Sequence, residues 1–131
     1  MSLELGIAAR GSDAELALRN GGPETLDVLS HVDAGERHYD PFTIELENDA
    51  GTRTLRFSDD RNEAARVIEH LAPGEEIVHV IDLQAWARRK PNGSKPLTAG
   101  TYLMSATYAV AGDGSLWTGR LESKTVPVTI S

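Results

Sequence analysis

Apolar residues fall at every second position along most of this 131-residue chain, and a period of two is the signature of half-buried β-strands. Successive side chains of a strand point to opposite faces, so alternation sends one set to a core and the other to water. Leu3, Leu5 and Ile7 alternate with polar or small residues. Ala14, Leu16 and Leu18 do the same and run into Asn20-Gly21-Gly22-Pro23, a strong turn signal. Leu26, Val28 and Val32 mark a third strand, with Leu29 on its other face. Phe42, Ile44 and Leu46 mark a fourth, which turns at Asn48-Asp49-Ala50-Gly51 into Leu55 and Phe57 as a hairpin with a four- or five-residue loop. Ile77 to Leu83 is nearly all apolar and reads as a central strand. The clearest stretch is Thr101 to Val110, where Tyr102, Met104, Ala106, Tyr108 and Val110 share one face. After a turn at Gly112-Asp113-Gly114, Val126, Val128 and Ile130 share a face, and Pro127, which has no amide to give to a ladder, marks an edge strand.

Seven or eight short strands separated by turn signals predict an all-β fold, a two-sheet antiparallel sandwich in one domain over residues 1–131. At most one short helix is expected, near 62–70, where Ala64, Ala65, Ile68 and Leu71 could face one way before Pro73-Gly74 stops it. The 40% hydrophobic content is enough for one packed core. No apolar run approaches the roughly 18 residues of a membrane-spanning helix, so no membrane span is expected. Cysteine is absent, which excludes disulfides and thiol chemistry. Met1-Ser2-Leu3-Glu4-Leu5 offers neither a basic stretch nor an apolar core, so the expectation is a cytoplasmic chain, or a secreted or periplasmic one if a leader has been trimmed.

Charge divides the chain. Residues 1–82 carry 7 Lys/Arg against 18 Asp/Glu, a balance of −11, whereas residues 83–131 carry 6 against 2, a balance of +4. A net charge of −7 excludes nucleic acid as a partner, because phosphate contacts need many cations on one face. The cations of the second part concentrate in Arg88-Arg89-Lys90 and Lys95. They lie in the segment from Gln84 to Thr98, which is long for a sandwich connection and also holds Trp86, Pro91 and Pro96. Arg and Trp are the residue types most often found as interface anchors. Trp86, Arg88, Arg89, Lys90 and Lys95 are therefore the candidate partner-binding residues.

Two local patterns go beyond generic β structure. Leu71-Ala72-Pro73-Gly74-Glu75 leads directly into Ile77–Leu83, and Leu97-Thr98-Ala99-Gly100-Thr101-Tyr102 opens the next strand. Together with the hairpin holding Asp49-Ala50-Gly51, this order resembles bacterial immunoglobulin-like domains. It is similar to the intracellular proteinase inhibitor (BsuPI-type) family and to the β-sandwich that precedes the catalytic domain of deuterolysin-like metalloproteases. The resemblance covers residues 40–110. It implies an immunoglobulin-like sandwich in which Tyr102 bonds its hydroxyl back to nearby backbone and Met104 points into the core. It also implies a protein partner, a protease among the candidates. Thr98 stands where such domains often carry an acidic residue, four positions before the tyrosine.

Catalytic chemistry finds little to work with. There is no Gly-x-Ser-x-Gly elbow, no His-Glu-x-x-His zinc motif and no glycine-rich phosphate loop. His79 stands between Ile77 and Ile81 and reads as a buried, satisfied histidine. His31 and His38 flank one loop with Asp33, Glu36 and Asp40, but without a spacing that fixes metal geometry. Asp59, Asp60 and Glu63 lack the calcium-loop pattern, and Asp59 or Asp60 suits capping of the expected helix at Asn62. No catalytic residue, metal site or cofactor is assigned. The expected function is a non-enzymatic protein-binding module, a proteinase inhibitor or an accessory domain, that displays the 84–98 segment, with a homodimer through an edge strand, the last strand being the candidate, as a second mode of association. The competing reading is a small enzyme or ligand carrier using His31, His38 and Asp40.

Overall fold

The computed structural model describes residues 3–33, 37–38, 41–56, 65–89, 92–110 and 117–130. The strands are β1 (Leu3–Arg10), β2 (Asp13–Asn20), β3 (Leu26–Asp33), β4 (Arg37–His38), β5 (Phe42–Asn48), β6 (Gly51–Arg56), β7 (Ala65–Leu71), β8 (Glu76–Asp82), β9 (Gly100–Val110), β10 (Gly119–Glu122) and β11 (Val126–Ile130), with one helix, α1 (Leu83–Ala87), among the described residues. Every strand pairing is antiparallel, and the fold is an all-β sandwich.

One sheet has the order β1-β2-β8 and the other β10-β9-β5-β6, with β11 also paired to β9. The long β9 carries β10 beside residues 107–110 and β11 beside residues 100–104, while β5 runs along its opposite edge. Alternation explains the core directly. Tyr102, Met104, Ala106, Tyr108 and Val110 of β9 are buried, in line with Phe42, Ile44 and Leu46 of β5 and Val128 and Ile130 of β11. Leu3 and Ile7 of β1, Ala14, Leu16 and Leu18 of β2 and Ile81 of β8 close the same core from the other sheet. Each fully buried Leu or Ile contributes about 1.5–3 kcal/mol, so this double layer supplies the bulk of the folding drive.

A third, smaller sheet of order β4-β3-β7 raises the strand number above the seven or eight expected. Three readings are corrected here. The expected helix near 62–70 is absent over the described part, because residues 65–71 are strand β7, paired with β3 from Leu26↔Leu71 to Asp33↔Ala65. A short apolar run with β-branched Val67 and Ile68 has no fixed period, and the open edge of β3 decides its state. Within β3 the register shifts between Leu29 and His31, and the bulge lets Val28, Leu29 and Ser30 all be buried in succession. The hairpin loop is also tighter than expected: the pairing closes at Asn48↔Gly51 and leaves two residues between.

The third correction concerns β8. It pairs with β2 alone, so among the described residues it is an edge strand, not a central one. Ile77 and Ile81 face inward, whereas Val78 and Val80 are each 44% exposed on the outer surface. The run looks continuous in sequence because apolar residues occupy both faces. By contrast β11, with Pro127, lies at an edge as expected, hydrogen-bonded among the described residues to β9 only.

Two polar devices hold the layers in register. Asn20 is completely buried, and its Nδ2 donates to the Glu24 carbonyl at 2.6 Å and the Leu71 carbonyl at 2.8 Å. Its Oδ1 accepts from Gly22 N–H at 3.0 Å, and its backbone exchanges bonds with Gly74 and Glu75. The β2–β3 turn is thereby fastened to the β7–β8 turn, where Gly74 takes a φ of 85° that a side chain would resist. Tyr108, also fully buried, donates its hydroxyl to the Leu29 carbonyl at 2.7 Å and so ties β9 to the small sheet. At the far end of β9, Tyr102 donates its hydroxyl to the Thr98 carbonyl at 2.8 Å, with Thr98 Oγ1 also 2.8 Å away.

Tyr102→Phe is expected to cost roughly 1–2 kcal/mol, read as a lower urea midpoint at constant slope; an unchanged midpoint would mean the corner bond contributes nothing. Desolvation by burial raises the Tyr108 pKa well above the ordinary tyrosine value, partly offset by the bond to Leu29. The folded state then holds this proton when the unfolded chain has released it, so stability is intact below about pH 10 and falls as pH rises further. Tyr108→Phe should lower stability at neutral pH and flatten that alkaline fall. Parallel pH profiles in both proteins would contradict the assignment.

Candidate functional site

The segment after β8 is a built structure and not an open loop. Asp82 ends β8 and caps α1, its Oδ1 accepting from Ala85 N–H at 3.0 Å. Leu83, Trp86 and Ala87 are buried, so the single helical turn is anchored in the core through one face. The Gln84 side chain then locks the two ends of the segment together. Its Nε2 donates to the Leu97 carbonyl at 2.9 Å and its Oε1 accepts from Leu97 N–H at 2.7 Å.

Two residues fasten this segment to β6. Arg53 sends Nη2 to the carbonyls of Ala87 (3.0 Å), Asn92 (3.0 Å) and Lys95 (2.5 Å), and Nη1 to that of Pro96 (3.3 Å). Four backbone acceptors on one guanidinium tie Ala87, Asn92, Lys95 and Pro96 to β6. Asn92 acts from the other side. Its Nδ2 donates to the Arg56 carbonyl at 2.6 Å and the Trp86 carbonyl at 2.7 Å, and its Oδ1 accepts from Arg56 N–H at 2.8 Å. The carboxamide thus satisfies both backbone groups of the last residue of β6, as a neighbouring strand would. The chain turns back immediately afterwards, with φ of 87° at Gly93 and 57° at Ser94. A left-handed serine is uncommon and stays in place because the bonds on either side over-determine it.

The structure places the candidate residues unequally. Trp86 is 4% exposed and belongs to the core, so it presents no surface to a partner. Arg88 caps the end of α1 and is exposed, Arg89 is half-buried, and Lys95 is exposed. Lys90 lies outside the described residues. Arg53 of β6 reaches the segment with its guanidinium, whereas Arg56 meets it through its backbone N–H and carbonyl. Among the described residues, neither Arg88 nor Lys95 has a carboxylate within ion-pair distance. Arg53, Gln84 and Asn92 are the residues that sequence reasoning missed. For Arg53 a signal existed: it stands opposite Leu46 and in phase with Leu55, a core-facing position that a lone arginine occupies only when its charge is satisfied.

The histidines do not build a competing site in the described residues. His79 is 5% exposed, its Nε2 lies 3.3 Å from Ser30 Oγ, and its ring meets Phe42 edge-on at 5.5 Å. A serine beside an imidazole has the composition of a nucleophile and its base, but Ser30 is itself 2% exposed and no substrate could reach it. His70 pairs with Asp27 on the exposed side of the β3–β7 ladder. Backbone pairing sets His38 against Val32, next to His31. The side chains of His31 and His38 lie outside the described residues, as do Asp40 and the cluster Asp59, Asp60 and Glu63. Among the described residues no three His, Cys, Asp or Glu side chains gather as a metal-binding group. No helix among them is long and apolar enough to cross a membrane.

Compared with known protein families, with curated proteins and with solved structures, the chain gives no match in any of the three.

Arg53→Met keeps the aliphatic bulk and removes all four bonds to the segment. The expected result is a loss of about 2 kcal/mol in urea unfolding, together with faster tryptic cleavage after Arg88 and Arg89 in the folded protein. Cleavage at the wild-type rate would show that the segment keeps its shape without the clamp.

Proposed function

We propose that the chain is a non-enzymatic protein-binding module of immunoglobulin-like build, presenting the cationic segment after β8 to an acidic surface of a protein partner. The observation that carries this reading is the fastening of the described residues of the 84–98 segment by Arg53, Asn92 and Gln84. A segment already held in one conformation loses little entropy on binding, and that saving appears directly as affinity. The exposed cations Arg88 and Lys95 supply long-range attraction and orientation. Trp86 supports the segment from below and is not itself the anchor.

The strand order supports the immunoglobulin-like part of the proposal. β1-β2-β8 faces β10-β9-β5-β6, and Tyr102 bonds back to Thr98 at the entry to β9, the arrangement that defines a tyrosine corner. The proteinase-inhibitor resemblance suggests one class of partner: a protease whose binding cleft or rim is acidic. A rigid exposed segment between β8 and β9 suits a cleft of that kind.

Capture from the source cell's lysate, with wild type and Arg88→Glu/Arg89→Glu side by side, tests the reading. A partner retained by wild type, lost in the variant and released by salt is the expected result. Unchanged thermal stability of the variant must accompany it. A partner held equally by both proteins would overturn the assignment of this face.

A further inference from the structure

Of the five outer strands of the two main sheets among the described residues, β6, β11 and β8 are finished differently. At β6 the Asn92 carboxamide occupies the hydrogen-bonding groups of Arg56. At β11 the second residue is Pro127, which offers no amide. β8 has neither device. Among the described residues no strand pairs with its outer edge, and between Glu76 and Asp82 it contains no proline, glycine, lysine or bulge. Natural sheets normally guard such an edge, and one left smooth and apolar pairs with another strand.

The order of side chains says which strand. Glu76-Ile77-Val78-His79-Val80-Ile81-Asp82 reads almost identically in both directions about His79. We propose that β8 is a homodimerisation strand: two copies pair antiparallel about a two-fold axis at His79 and join the two sheets into β1-β2-β8-β8-β2-β1. In that register Ile77 meets Ile81 of the second copy on the core side, and Val78 meets its Val80 on the outer side. A two-fold interface requires a self-complementary surface, and a palindromic strand is one. The outer face is also shaped for it. The neighbours of Val78 along the sheet are Ala17 and Gly6, and those of Val80 are Glu15 and Ala8. These mostly short side chains leave both valines 44% exposed, and β-branched cross-strand pairs would cover them. His79 stays on the core side with Ser30 and Phe42.

The same register sets Glu76 against Asp82 of the second copy at both ends. Arg19 stands beside Glu76 on β2, but Asp13 stands beside Asp82, so the ends repel. Dimerisation through β8 must therefore tighten as salt screens these acids. Association of the cationic segment of one copy with the acidic surface of another would weaken instead.

Sedimentation equilibrium from about 0.01 M to about 1 M salt, over which the screening length falls from about 30 Å to about 3 Å, separates the two. The proposal expects a monomer–dimer equilibrium that strengthens with salt. It expects Val78→Lys/Val80→Lys to weaken the dimer about tenfold or more with an unchanged circular dichroism spectrum. The register is tested separately by Val78→Cys/Val80→Cys, since the chain has no other cysteine and opposed residues of a strand pair lie within disulfide range. A covalent dimer under mild oxidation supports the two-fold at His79. A protein that stays monomeric at all salt concentrations overturns the proposal, as does a dimer that salt dissolves or that the cysteine pair fails to cross-link.

Discussion

The backbone of β9 is hydrogen-bonded to β5 on one side and to β10 and β11 on the other, and among the described residues no other strand of the two main sheets has three partners. Its inward face supplies Tyr102, Met104, Ala106, Tyr108 and Val110 to the core. The two tyrosines then reach beyond their own sheet. Tyr108 fixes the position of β3 through the Leu29 carbonyl, and Trp117 closes over the Tyr108 ring at 5.7 Å while its backbone N–H reaches Asp27 at 2.8 Å. Tyr102 fixes the corner at Thr98, where the segment after β8 re-enters the sheet. A single alternating strand thus sets the distance between the sheets, the seat of the small sheet and one end of the candidate site.

Buried polar groups follow the same economy. Among the described residues no buried side-chain nitrogen or oxygen lacks a hydrogen-bond partner. Leaving such a group unpaired costs about 1–3 kcal/mol, so each buried polar residue is a constraint on what lies next to it. Asn20 and Asn92 use this in one way. Each carboxamide donates twice to carbonyls and accepts from one N–H, and each joins chain segments that share no ladder. The amide chemistry that makes asparagine a turn residue in sequence becomes, in the fold, a fastening between turns and edges.

How much of this was legible beforehand depends on the range of the forces involved. The alternation of β1, β2, β5, β9 and β11 is a local pattern, and it locates those strands and their buried residues from the chain alone. Tyr102 at its corner is legible for the same reason, since its partner is only four residues away. β7 was not legible, because Val67 and Ile68 suit a strand only when β3 offers an edge. β8 looked central because nothing in its sequence reveals that its second apolar face meets water. The basic stretch after β8 was visible, and so was the length of the segment. Its rigidity was not, because the clamp residue Arg53 lies 34 to 43 residues before the carbonyls it holds. The meaning of Trp86 was inverted for a related reason: its environment is set by the packing of α1 and not by the cations that follow it.

The two proposed surfaces bear on each other through one residue, Asp82, which ends β8 and caps α1. Whatever pairs along β8 therefore fixes the direction in which the cationic segment leaves the sheet. In an antiparallel pair centred on His79, the two copies of Asp82 lie at opposite ends of a seven-residue strand, about 20 Å apart. The segments would then diverge to the two ends of one continuous six-stranded sheet. Two rigid cationic segments at a fixed spacing engage an extended acidic surface as one ligand, and the second contact forms at the effective concentration set by the first. Stiffness in the segment matters more under that arrangement. A floppy segment would blur the spacing, whereas one held by Arg53 at four carbonyls transmits the geometry of the strand pair to the partner.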